Sequence, residues 1–182
     1  MSIVLVTGPA RSGKSEWAEN LAIKSNYSVI YLATALVNPD DVDWAQRITK
    51  HRHRRPEDWL TWEVPQLQLM DAIASSPASH RCLLVDSLGT WVANLLDKDD
   101  SQWEQIVKSL LSTLQEVTDK EVIFVAEETG WGVVPAYPSG RTFRDRTGNL
   151  VRRIGFVSEC VYLVTGGYVL NLTTLGSPLP KP

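Results

Sequence analysis

Near its start the chain runs from an apolar strand straight into a phosphate-binding loop, and that junction constrains every later choice of fold. Ile3-Val4-Leu5-Val6-Thr7 is a short β-branched run, and Gly8-Pro9-Ala10-Arg11-Ser12-Gly13-Lys14-Ser15 follows without a gap. The octet fits G-x-x-x-x-G-K-[ST] and leads into a stretch of helical character from Glu16 to Ile23. The spacing has a chemical reason. Gly8 and Gly13 let the backbone bend so that successive N–H groups face a phosphate, and a helix N-terminus adds partial positive charge. Lys14 is placed to reach β- and γ-phosphate oxygens, and the Ser15 hydroxyl to ligate Mg²⁺. A nucleoside triphosphate site is therefore expected here.

A length of 182 residues suits one domain with a single core, expected over 1–176, with 177–182 as a fraying tail rich in proline. The net charge of −3 argues against bulk nucleic-acid binding. Cys82 and Cys160 both lie in apolar runs and read as small core residues of a reducing compartment. No apolar stretch reaches membrane-spanning length, so no stable membrane insertion is expected. The N-terminus lacks the charged region of a signal peptide. These features together point to the cytoplasm.

Apolar runs then alternate with segments of helical period. Strands are expected at 28–33, 60–64, 82–85 and 122–126, with a terminal hairpin of 161–164 and 168–172 around Gly166-Gly167. Helices are expected at 40–54, 66–74 and 88–96. Two more should follow, one through Trp103, Val107, Leu110 and Leu114, and one through Phe143, Leu150 and Ile154. Continuously apolar strands separated by helices imply an α/β fold of the P-loop NTPase kind: a mainly parallel sheet with helices on both faces.

Asp86 ends the buried run Cys82-Leu83-Leu84-Val85, where a P-loop site needs an acid on the metal side; Asp86 or Ser87 can also cap the next helix. Between Arg47 and Arg55, seven of nine side chains are basic or imidazole, in a chain that is acidic as a whole. Helical spacing puts Arg47, His51 and Arg55 on one face, and arginine forks suit polyphosphate. A histidine among cations has its charged form disfavoured and stays neutral and nucleophilic, so attack on an α-phosphate becomes possible. The chemistry leaves His51 and His53 as equal candidates. A second arginine group (Arg141, Arg144, Arg146, Arg152, Arg153) could neutralise a transferring phosphate or simply be exposed helix charge. The seven tryptophans read by default as core or half-buried packing, although Trp91 and Trp131, close in sequence to candidate site loops, could line a pocket for a large flat ligand.

Taken together these motifs resemble the bifunctional adenosylcobinamide kinase/adenosylcobinamide-phosphate guanylyltransferases of cobalamin synthesis, the CobU or CobP family. The resemblance runs from Leu5 to about Leu172. Beyond the P-loop it rests on Tyr31-Leu32-Ala33-Thr34-Ala35, Arg47-Ile48 with His51, Arg55-Pro56, Trp59, Thr61 and Glu63. It continues through Thr90, Val92, Asn94-Leu95-Leu96, Gly130, Gly132-Val133-Val134-Pro135 and Phe143-Arg144-Asp145. The resemblance implies that His51, rather than His53, becomes guanylylated. It also implies that Gly8 to Ser15, Ala33, Thr34, Ala35, Arg52, His53, Arg54 and Arg55 contact nucleotide. Glu63 would hold the guanine or ribose, Asp86 would stand in the family's Glu/Asp position, and the active enzyme would be a homotrimer. The chain departs from the family at Glu127, where Asn is usual, and at Lys50, where a second His can occur.

The expected reactions follow from that resemblance. The γ-phosphate of ATP or GTP moves to a hydroxyl of adenosylcobinamide, with Mg²⁺ held by Ser15 and Asp86. GMP from GTP then passes through His51 to adenosylcobinamide phosphate, releasing pyrophosphate. A P-loop small-metabolite kinase with no covalent step, or a non-catalytic GTP-sensing module, would share the P-loop but leave the His51 segment unexplained.

Overall fold

In the computed structural model, residues 2–36, 49, 52 and 54–180 are described. The strands are β1 (Ser2–Gly8), β2 (Val29–Ala33), β3 (Leu60–Glu63), β4 (Cys82–Asp86), β5 (Glu121–Glu127), β6 (Cys160–Thr165) and β7 (Tyr168–Asn171). The helices are α1 (Lys14–Lys24), α2 (Gln68–Ser75), α3 (Leu88–Ala93), α4 (Asp100–Glu116), α5 (Pro138–Val157) and α6 (Leu172–Leu175). Among the described residues the strands form one sheet in the order β3-β2-β4-β5-β1-β6-β7. Every neighbouring pair is parallel except β6–β7.

Alternating side chains build two cores, one on each face of this sheet. On one face Leu5, Ile30, Leu32, Leu83, Val85, Val122 and Phe124 are covered by Leu69 and Ile73 of α2, by α3, by Val107 and Leu110 of α4, and by Leu150 and Ile154 of α5. On the other, Val4, Val6, Val29, Tyr31, Leu84, Ile123 and Val125 lie under Ala18 and Ala22 of α1. Burial on both faces is why the central strands read as unbroken apolar runs. No described helix is long and apolar enough to cross a membrane.

The expected elements are found with shifted ends. Helix α2 starts at Gln68 because Gln66 takes a left-handed backbone (φ 55°) that a helix cannot include. Helix α3 stops at Ala93, and the strand expected up to Leu172 ends at Asn171, whose side chain caps the short α6. The hairpin turns at Gly166 and Gly167 (φ 58° and 81°), the left-handed pair that a two-residue connection favours. The helix expected over 40–54 lies outside the described residues apart from Thr49, Arg52 and Arg54. Both cysteines are free; burial pushes the Cys82 thiol up to about 12, which leaves it inert.

Candidate active site

The loop Gly8–Ser15 turns from β1 into α1 through two left-handed residues, Arg11 (φ 59°) and Gly13 (φ 92°). Gly13 sits at the N-cap of α1 and no side chain caps that end, so the first-turn N–H groups are left for a ligand. A Cβ on Gly8 would collide with the Val164 carbonyl oxygen, so only glycine permits β6 and the loop to approach this closely. Lys14 is buried, its ammonium donating to the Pro9 carbonyl at 3.4 Å across the loop. The Ser12 hydroxyl oxygen is buried without a hydrogen-bond partner. Pro9 and Ala10 form the outer rim, and Ser15 opens the helix at intermediate exposure. The loop thus encloses a cation, an orphan hydroxyl and uncapped amides, all suited to bind phosphate oxygens.

The remaining candidates share the carboxyl edge of the parallel sheet. Gly8 is in register with Glu127, Asp86 with Val125, and Ala33 with both Asp86 and Glu63. Ligands of open α/β sheets gather at this edge. At about 4.8 Å per strand, Glu63 on edge strand β3 lies about 19 Å from the β1 exit, and Asp86 about 10 Å. Glu63 is exposed, and Ala35 follows the buried Thr34.

Asp86 is held by a residue to which the sequence reading gave no role. The Tyr31 hydroxyl donates to Asp86 Oδ2 at 2.7 Å, and the Arg55 guanidinium lies over the Tyr31 ring, its Cζ 3.2 Å from the centroid. Burial and the Asp86 charge raise the Tyr31 pKa well above its usual value, so the phenol stays a donor. Arg55 also donates to Thr61 Oγ1 at 3.3 Å. Next along, Thr34 Oγ1 accepts from the Ser87 N–H (2.9 Å) and donates to the Ser87 carbonyl (2.7 Å). Ser87, not Asp86, caps α3. Asn94 Nδ2 donates to the Thr34 carbonyl at 2.7 Å. The only sequence signal for Tyr31 and Asn94 was their place among the family landmarks. The Ser15 hydroxyl and Asp86 carboxylate are both hard oxygen donors, the kind Mg²⁺ takes when it also binds phosphates, so the residues fit that ion.

Glu127 leaves β5, the strand between β1 and β4, and so falls between the Lys14 side and the Asp86 side of the site. Its Oε2 accepts from the Gly89 N–H at 2.8 Å, and a Cβ on Gly89 would strike this carboxylate. Burial raises the Glu127 pKa, against the lowering effects of Ser87, Lys14 and the Gly89 amide; the Asp86 charge adds to the rise.

Within the basic segment, His51, His53 and Arg47 lie outside the described residues, and Arg52 is exposed. Arg54 reaches α1, pairing with Glu16 at 2.9 Å and with the buried Glu19 at 3.1 Å. This ties the end of the basic segment to the helix that the phosphate loop opens. Four arginines of the later group have protein partners: Arg141 donates to the Pro135 and Ala136 carbonyls and Arg144 pairs with Asp145, while the other two are tied into the packing. Arg146 is buried and donates to the carbonyls of Leu95 and Lys98 and to Asp100, and Arg153 pairs with Glu104 at 2.7 Å. Trp91 takes the default core role and not the pocket role that its nearness to a site loop offers. It is fully buried against Trp103, with its N–H donating to the Gln66 carbonyl at 2.6 Å, so it lines no pocket; Trp131 is exposed.

A buried lysine in an uncapped strand–loop–helix turn, with an aspartate ending a strand two places away in the same sheet, defines a P-loop nucleotide-binding protein. The fold agrees: the chain superposes with a TM-score of 0.59 on a type III secretion system ATPase of pathogenic bacteria, at 13% identity, covering 96% of this chain and 53% of that one. The chain belongs to the CobU family, cobinamide kinase / cobinamide phosphate guanyltransferase, whose model matches residues 4–172. It is therefore an enzyme with those two activities. It is 41% identical to the bifunctional adenosylcobalamin biosynthesis protein CobP of Pseudomonas aeruginosa, over 96% of this chain and 98% of that protein. The CobU proteins of Escherichia coli and Salmonella typhimurium are 36% and 34% identical, each over 91% of this chain and 96% of theirs.

Proposed function

We propose that one phosphate cradle serves both activities, and that the transferase half proceeds through a guanylyl-histidine at His51. The observation that carries this reading is the Gly8–Ser15 loop itself, with its buried Lys14 and uncapped α1 amides, together with the tie from Arg54 to α1. In the kinase step Lys14 and the loop amides hold the β- and γ-phosphates of ATP or GTP. A hydroxyl of adenosylcobinamide attacks the γ-phosphorus, the bond to the bridging oxygen breaks, and the nucleoside diphosphate leaves with that electron pair. Ser15 and Asp86 would hold Mg²⁺, which supplies neutralising charge at the phosphate oxygens. Tyr31 fixes the Asp86 carboxylate by its hydrogen bond, and Arg55 keeps a cation over the phenol.

In the transfer step an imidazole nitrogen of His51 attacks the α-phosphorus of GTP. A P–N bond forms, the α–β P–O bond breaks, and pyrophosphate departs. A phosphate oxygen of adenosylcobinamide phosphate then displaces the histidine, which returns unmodified. The loop after β1 and Glu63 on edge strand β3, about 19 Å apart along the carboxyl edge, would meet the phosphates and the nucleoside separately. Thr34, Ala33 and Ala35, with Arg52 to Arg55, would flank the nucleotide between them. A cytoplasmic homotrimer, each subunit a single domain over 1–176, completes the reading.

The test is intact-protein mass spectrometry after incubation with GTP and Mg²⁺. A mass gain of one GMP, acid-labile and missing from His51→Ala, is the expected result. No gain in the wild type, with pyrophosphate removed as it forms, would leave a plain kinase as the better description.

A further inference from the structure

The segment leaving β5 is fastened at both ends and apolar in between. At its root the Glu128 N–H donates to the Gly8 carbonyl at 2.9 Å, and the Gly130 N–H to Glu128 Oε1 at 2.8 Å, so the loop starts on the phosphate loop itself. At its far end Arg141 Nη1 donates to the carbonyls of Pro135 (3.1 Å) and Ala136 (2.7 Å). Pro135 also packs so tightly on Gly140 that a Cβ there would lie 2.8 Å from the proline ring. Between these ties Trp131, Val133, Val134 and Tyr137 are 55% to 95% exposed. Gly132, among them, has open space where a side chain would stand. A loop held this firmly does not collapse to hide its own apolar groups, and contiguous exposed apolar surface marks a binding face.

We propose that this loop is the docking platform for the corrin ring of adenosylcobinamide. The proposal rests on the reading of the P-loop as the kinase site. The ring is broad, fringed with methyl groups, and too large to enter a cleft shaped for phosphates. Its reacting hydroxyl sits at the tip of a peripheral arm. A platform that begins on Gly8 lets the ring stay outside on aromatic and aliphatic side chains while the arm reaches the γ-phosphate. The sheet order favours this placement, because β5 lies between β1, which carries the phosphate loop, and β4, which carries Asp86. The segment leaving β5 therefore borders the gap in which the acceptor must arrive. A flat macrocycle gains most from large rigid side chains such as Trp131 and Tyr137, which lose little freedom when covered.

The test uses the full chain with adenosylcobinamide and two variants, Trp131→Ala and Val133→Ser/Tyr137→Ser, all at exposed positions that carry no core packing. Each variant is expected to raise the KM for adenosylcobinamide in the phosphorylation assay by about tenfold or more. The KM for nucleotide and the mass gain with GTP alone should stay at wild-type values, and Trp131→Phe should recover most of the loss. In the wild type, adenosylcobinamide should quench Trp131 fluorescence, and Trp131→Phe should lose that component. An unchanged corrinoid KM in both variants would overturn the proposal. So would a change in oligomeric state by light scattering in parallel with the kinetic loss, since the face would then join subunits. A wild type that labels with GTP but neither binds nor phosphorylates adenosylcobinamide would sink the occupant named here while leaving the nucleotide site standing.

Discussion

Glu127 sets a carboxylate where phosphates must come close, and its surroundings make the charged form costly. Burial raises its pKa although Ser87, Lys14 and the Gly89 amide all favour the anion. The sign of the resulting pH dependence can be worked out. Between the ordinary carboxylate pKa and the raised folded value, the native state holds more protons than the unfolded chain. Stability therefore falls as pH rises through that window and levels off above the folded value. In Glu127→Gln the amide oxygen can still accept from the Gly89 N–H, while the ionisation is gone. Without nucleotide, urea midpoints taken from about pH 4 to about pH 8 should show a steeper decline with pH in the wild type than in Glu127→Gln. Glu19 and Glu121, also raised by burial, contribute equally to both proteins, so the difference isolates Glu127. Parallel profiles would mean that the carboxylate is better solvated than its position implies.

At the scale of elements, the site depends on how the exits of β2 and β4 are joined. Thr34 is fully buried, and its hydroxyl both accepts from and donates to the Ser87 backbone, one residue past Asp86. Thr34→Val keeps the shape but takes the partner from the buried Ser87 N–H, while the Ser87 carbonyl still accepts from the Trp91 backbone N–H at 3.0 Å. It should destabilise the protein by about 2 kcal/mol. Urea unfolding reads this directly; a loss well below about 1 kcal/mol would mean that water replaces the hydroxyl. The elements themselves were largely legible in the sequence, for a physical reason. A strand covered on both faces must be apolar throughout, so β1, β4 and β5 announce themselves, and the 3.6-residue spacing of Trp103 to Leu114 can only be helical. The Thr34–Ser87 clasp was not legible, because it joins residues 53 positions apart. The Tyr31–Asp86 contact, 55 positions apart, was hidden for the same reason. The pocket role open to Trp91 falls away because nearness in sequence to a site loop says nothing about which way an indole points; the default core reading is the one the structure bears out. Arg146, open in the sequence between a phosphate-neutralising role and plain exposed helix charge, is neither, because packing buries it on three oxygen acceptors.

Across the whole molecule, the proposed sharing of one cradle by two reactions at different phosphorus atoms predicts how single changes divide the activities. Lys14 belongs to the cradle, buried at the turn where β1 meets α1. Removing its charge strips stabilisation from the γ-phosphoryl group in the kinase step and from the departing pyrophosphate in the transfer step. Lys14→Ala should therefore lower kcat/KM for both by about a hundredfold or more, the scale of losing one preorganised donor to developing charge. In the proposed mechanism His51 has no part in moving the γ-phosphate. His51→Ala should abolish GMP transfer, while phosphorylation of adenosylcobinamide stays within a few fold of the wild type. Both activities, measured on both variants with the fold checked by thermal melting, give a pattern that neither residue yields alone. Equal loss of both activities in folded His51→Ala would mean that the histidine also shapes the cradle. If Lys14→Ala impaired only one step, the two reactions would bind their nucleotides at different places, and one shared P-loop would no longer account for a chain with two activities.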